Sequence, residues 1–247
     1  EILENLQNKN YTAKDIIYSE KCASDKGYSK IVREVHSEIP ARYNSDKRLL
    51  YGASGSAGKI AVFAVRLDTY PAPNKKKVFY LGTNDPNDFW EIRREILQKF
   101  KNLPRLGDYL HRDCYVTAQN YSKDTFMLIE RLGTKFLPFL FSFKRIIDLI
   151  SSKIPFLPNN FSDRLMQSVG SLLPNHLPKK MDNFRDNFEH HWIIEMTDEG
   201  IIEARDYFVK FFKDKNADFF ECNERESKKA MLHRYVSAGA FGRYFIM

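Results

Sequence analysis

The sequence predicts an α+β fold in which a split βαβ arrangement builds an antiparallel sheet covered by helices on one face. Three observations predict it. Short apolar runs at Val78–Leu81, Phe126–Ile129, Trp192–Met196 and Ala217–Cys222 have strand character. Helical periodicity separates the first run from the second and the third from the fourth. A long basic and aromatic stretch, residues 132–188, interrupts the alternation in the middle.

In chain order, residues 1–50 are polar and basic, with short helices at best, and Ser45-Asp46-Lys47-Arg48 reads as a turn. The small-residue stretch Gly52–Gly58 leads into Lys59–Leu67, which is apolar on both faces and predicts a largely buried strand. Pro71, Pro73 and Lys75–Lys77 mark a surface boundary. Asp85-Pro86 starts a helix, with a side-chain cap followed by proline at the first helical position. Phe89, Ile92, Ile96 and Phe100 form its apolar face. Thr197 is placed to cap a second helix, with Ile201, Ala204, Phe208 and Phe211 inward. A last helix begins near Arg225.

With 43% hydrophobic and 14% aromatic residues in 247, the chain can bury a substantial core, which argues against disorder. No run reaches the ~18 apolar residues of a spanning helix, and no basic-then-apolar leader opens the sequence. The chain begins at Glu1, the first hint of a fragment. Cys22, Cys114 and Cys222 are isolated, which disfavours a disulfide scaffold or zinc site and predicts buried small apolar side chains. Ala53–Ile60 resembles a phosphate loop, but Ala53 and Ile60 replace its first glycine and its magnesium-binding hydroxyl. His111-Arg112-Asp113 lacks the asparagine a kinase loop needs, since Ala118 stands there. His190 and His191 point to opposite faces of a strand and cannot share one metal.

The charge is more informative. Of the chain's net +7, the stretch from Thr134 to Arg185 supplies +5, with eight basic residues against Asp148, Asp163 and Asp182. The same stretch is crowded with Phe, Leu and Ile and cut by prolines. Cations among exposed apolar groups suit an anionic phospholipid surface, while bulky aliphatic clusters fit nucleic acid poorly. A basic module for an anionic membrane or nucleic acid, without catalysis, is the competing function class.

Several long segments carry a resemblance. They are Pro40–Asn44, Ala57–Thr69, Gly82–Asn84, His111–Asp113, Lys123–Phe126, His176–Pro178, Glu189–His191 and Leu232–Arg234. In this order they resemble the respiratory, quinone-dependent, FAD-containing D-lactate dehydrogenase family of bacteria over nearly the whole chain. The resemblance implies the end of a vanillyl-alcohol-oxidase-type FAD-binding domain at 1–70 and a cap domain in two halves, 71–131 and 189–247. Between the halves it places a membrane-binding insertion at 132–188, mostly helical or irregular. It implies D-lactate as substrate, FAD as cofactor, membrane quinone as acceptor, and a peripheral place on the cytoplasmic side of the inner membrane. Gly55, Gly58, Ile60 and Val62 match the family's second flavin-contacting segment, although Lys59 and Ala61 depart from the apolar and hydroxyl residues of soluble relatives. Arg234, with Arg243 as second candidate, matches the arginine that holds the substrate carboxylate. No residue is assigned as the catalytic base or to a metal. The chain reads as the middle of such an enzyme, unlikely to turn over alone.

Overall fold

The computed structural model describes residues 2–12, 22–62 and 71–247. Contacts divide the chain into two units, Glu1–Ala72 with Arg93–Phe100, and Pro73–Ile92 with Lys101–Met247.

In the first unit, α1 (Ile2–Gln7) and α2 (Tyr28–Ile31) are short. The turn read at 45–48 is closed by Asp46, which accepts hydrogen bonds from the Arg48 backbone at 3.0 Å and from its guanidinium at 2.6 Å. That guanidinium holds the Asp46 carboxyl down at about 2. Cys22 is exposed rather than buried.

The second unit is built on β1 (Lys76–Thr83), β2 (Leu106–His111), β3 (His190–Thr197) and β4 (Ala217–Glu221). Among the described residues these form one antiparallel sheet of order β2-β3-β1-β4, the ferredoxin-like split βαβ order. α3 (Pro86–Lys99) joins β1 to β2 and α9 (Gly200–Phe212) joins β3 to β4. Asp85 caps α3 through the Asn87 N–H at 2.9 Å, and Phe89, Ile92, Ile96 and Phe100 are all buried. Thr197 ends β3 instead of capping α9, whose N-cap position is Glu199.

The second strand corrects the sequence reading. Phe126–Ile129 lies in helix α5 (Lys123–Leu132), where Phe126 and Ile129 are the buried pair at helical spacing. A four-residue apolar run does not distinguish strand from helix. The true second strand, Leu-Gly-Asp-Tyr-Leu-His, sits at the sheet edge, where pairing on one side tolerates glycine and aspartate. Between β2 and β3 the chain runs through α4 (Arg112–Tyr121), α5, α6 (Leu137–Ser151), α7 (Phe161–Leu172) and α8 (Lys179–Asn187). The last helix, α10 (Glu224–Ile246), follows β4 and opens with a reciprocal capping box between Asn223 and Glu226.

Helices cover both faces of the sheet, not one. Strand alternation sends Phe79 and Trp192 to one side, where Phe208 of α9 lies 5.3 Å from the Phe79 ring and Phe89 of α3 5.5 Å from Trp192. Val78, Tyr80, Ile193 and Cys222 join a core built with residues of α4, α5, α8 and α10. Gly82 is on the same face as Tyr80, and a Cβ there would lie 2.4 Å from the Phe188 ring and 2.8 Å from Phe184.

That second core holds three buried histidines. Tyr115 lies between His233, with ring centroids 4.4 Å apart, and His191 at 5.8 Å; His176 lies 6.5 Å from His233. Among the described residues, no nitrogen of the three rings makes a hydrogen bond of normal geometry. Burial pushes their pKa values down, to about 4 for His176 and His191 and about 3 for His233. All three are therefore neutral in the folded chain at pH 7, whereas the unfolded chain titrates them near 6.5.

Two outcomes follow for stability. Below pH ~6.5 the unfolded chain binds more protons than the folded one, so stability is whole above that pH and falls as the pH drops toward 4 and then 3. With all three rings charging only on unfolding, the slope reaches about 4 kcal/mol per pH unit. A melting temperature that stays flat from pH 7 to 4.5 would contradict this burial. Gly82→Ala should cost about 1–3 kcal/mol in urea unfolding, because the Phe188 and Phe184 rings must move.

Candidate membrane interface

α6 is the unusual element. Its sequence, LPFLFSFKRIIDLIS, is strongly apolar, with Lys144, Arg145 and Asp148 as its only charged residues. Leu137, Leu140, Lys144 and Ile147 lie on the inward face at helical spacing and are half-buried. Phe139, Phe143, Ile146 and Ile150 share an outward face at spacings of four, three and four. Phe139 is 69% exposed and Ile150 59%. The Phe139 and Phe143 rings stack at 6.4 Å. Just past this helix, Phe156 is 85% exposed. A run of exposed apolar side chains on one helix face marks an interaction surface rather than scattered surface residues.

The charges of the same stretch are sorted by sign. All three acids point inward to partners. Asp148 accepts from the Ser162 N–H at 2.9 Å and hydroxyl at 2.7 Å. Asp163 pairs with Lys144 at 2.6 Å and faces Arg243 at 3.4 Å. Asp182 accepts from Gln119 at 2.9 Å, Asn175 at 2.6 Å and Arg185 at 3.1 Å. In contrast Lys135, Arg145, Lys153 and Lys179 are exposed, with no ion-pair partner among the described residues. Lys135 and Lys153 flank the two ends of α6. Lys144, Arg164 and Arg185, counted among the outward cations from sequence, are half-buried and bonded internally. The outward charge is thus carried by fewer cations than the sequence suggests, but without compensating acids.

Arg243 has become part of this scaffold. It is 7% exposed, and its guanidinium donates to Asp124 at 2.6 and 3.1 Å and to the Tyr121 carbonyl at 3.0 Å, with Asp163 beyond. Its donors are therefore met within α4, α5 and α7. Arg234, the residue next to buried His233, forms an ion pair with Asp108 on β2 and remains half-exposed. The glycine-rich loop lies in the other unit. Gly55 packs tightly, since a Cβ there would come within 2.5 Å of Ser45 Oγ, and its N–H donates to the Tyr51 carbonyl at 2.8 Å. Gly58 adopts φ +77° with open space around it, a conformation only glycine takes without strain. Ile60 and Val62 are exposed. Lys59–Val62 is irregular rather than a buried strand: nothing among the described residues pairs with it. The rest of the expected strand, 63–67, lies outside the described residues.

No helix among the described residues is long and apolar enough to cross a membrane. Residues 78–247 match the family model described as D-lactate dehydrogenase, membrane binding. The chain is similar to the quinone-dependent D-lactate dehydrogenase of Escherichia coli (strain K12), 46% identical over 244 residues, 99% of this chain and 43% of that protein. It is 46% identical over 245 residues to the enzyme of that name from Haemophilus influenzae, and 35% over 244 to that of Corynebacterium glutamicum. The chain spans under half the length of these curated relatives.

The charge cluster makes a sharp mutational contrast. Arg243→Leu leaves Asp124 and Asp163 buried and short of a cation, and should cost about 3–5 kcal/mol in urea unfolding. Phe139→Ser, on the outer face of α6, should stay within about 0.5 kcal/mol. Equal effects would mean that the cluster does not hold these helices.

Proposed function

Because this chain belongs to the D-lactate dehydrogenase membrane-binding family, we propose that it docks a quinone-dependent D-lactate dehydrogenase onto the membrane surface. The observation that carries the reading is α6, whose exposed face is an apolar stripe and whose ends are bracketed by cations unpaired among the described residues. Each cation near anionic lipid contributes about 1 kcal/mol, so the four exposed ones come to roughly 4 kcal/mol. That is about tenfold weaker than one acyl anchor, whose binding constant of about 10⁴ M⁻¹ is itself only marginal. Charge alone therefore holds weakly, and the Phe139–Ile150 stripe dipping past the headgroups supplies the rest. The attachment is peripheral, on the anionic cytoplasmic face of the inner membrane.

The enzyme reading assigns D-lactate as substrate, FAD as the group that takes its hydride, and membrane quinone as the final acceptor. Bound FAD would supply the redox chemistry; this chain would supply position. Gly58, Ile60 and Val62 would offer backbone donors to the dinucleotide, and Gly55 would keep the loop compact against Ser45. Arg234 is the better placed arginine for the substrate carboxylate, since Asp108 leaves most of its fork unused, whereas Arg243 is committed internally.

Co-sedimentation with vesicles separates docking from its alternatives. Binding should require anionic lipid and weaken as salt rises. Changing Lys135, Arg145, Lys153 and Lys179 together to Gln should lower it on the order of a hundredfold or more. Equal binding to neutral vesicles, or no loss in the fourfold variant, would remove the electrostatic part of the account. D-lactate-dependent reduction of a soluble quinone analogue by the complete gene product tests the enzyme reading separately.

A further inference from the structure

Behind the inner face of α6 lies a cavity of about 260 Å³, walled by α4, α5, α6, α7 and α10. Leu137, Leu140, Met166 and Val236 make its apolar walls, while Tyr121, Thr125 and Lys144 place polar groups in it. We propose that this cavity is the site that receives the head ring of the membrane quinone, with the tail leaving along α6 toward the lipid. The proposal rests on the docking and quinone reading above and adds where the acceptor binds.

Three features select that occupant. First, the charges in and beside the cavity cancel: Lys144 and Arg243 face Asp163 and Asp124 at 2.6 Å each. A phosphate or fatty-acid carboxylate would meet two carboxylates as well as two cations, so a neutral head is favoured. Second, the Lys144 ammonium spends one of its three donors on Asp163. The remaining donors, with the Tyr121 and Thr125 hydroxyls, suit a neutral ring bearing carbonyl acceptors. Third, the cavity is slightly smaller than the ~300–1,000 Å³ of most small-molecule sites, room for one flat ring and not for folded acyl chains.

Gly239 gives this space a sequence signature. It lies within α10 and lines the cavity, where glycine weakens a helix by about 1 kcal/mol relative to alanine. A Cβ at this position would meet nothing within 4 Å. Gly239 is itself exposed where it lines the cavity, so a larger side chain can be placed there without a clash and cover the opening.

The test uses the complete gene product in neutral detergent micelles, where docking to anionic lipid plays no part. The probe is a photoreactive azidoquinone with a short tail, compared with a photoreactive fatty acid of equal tail length. Quinone labelling should map to peptides of α6 and α10, be displaced by excess unlabelled short-tailed quinone, and exceed fatty-acid labelling. Gly239→Leu should cut it about tenfold or more without lowering the melting temperature or weakening vesicle binding. Labelling elsewhere, equal labelling by the fatty acid, or undiminished labelling in a folded Gly239→Leu protein would overturn the assignment. A protein that labels in micelles but fails to bind anionic vesicles would instead refute the docking reading alone.

Discussion

The buried guanidinium of Arg243 is the constraint on which the helical layer depends. It joins the end of α10 to Asp124 on α5, to the Tyr121 carbonyl at the end of α4 and, beyond them, to Asp163 on α7, which also binds Lys144 of α6. Five helices thus meet at two cations and two carboxylates. Removing such charges from water is costly, and the cost is offset only when every partner is in place. The cluster therefore specifies one arrangement of these helices, and with it the position of α6.

From that position the surface follows. One face of α6 turns to the cluster and the cavity, and the other faces outward with its aromatic stripe exposed. The acids of the stretch are consumed in holding helices together, so the surface is left with cations. A basic, apolar face emerges by subtraction: the negative charges have internal work and four of the positive ones have none. The sheet's second core differs in character: its centre is filled by neutral histidines and aromatic rings, with Lys229–Glu130 and Arg185–Asp182 at its margin.

Much of the sheet unit was legible in the sequence. The first, third and fourth strands, the Asp85-Pro86 helix start and the buried face of α3 rest on local rules that the tertiary structure left intact. The second strand was not legible, because an edge strand can carry Gly107 and Asp108 while a short helix can carry Phe-Met-Leu-Ile; only pairing with β3 decides between them. The expectation of helices on one face alone followed from that misplaced strand, since α4 and α5 were absent from the reading. The basic interface was visible as composition, but the fate of each charge was not. Lys144, Arg185 and Arg243 look like surface or substrate cations until the inward acids are located in space. Gly239 carried no signal at all, since its meaning lies in the empty volume beside it.

The most direct test of the account is the depth of α6 in a bilayer. A Phe143→Trp protein mixed with anionic vesicles whose acyl chains carry bromine would report it, with the unsubstituted chain correcting for Trp90 and Trp192. The account predicts strong quenching of the added tryptophan by bromines beneath the headgroups, because its side chain lies past the phosphates. Vesicle-bound protein whose added tryptophan is not quenched would contradict it, showing that the chain meets lipid through some other surface.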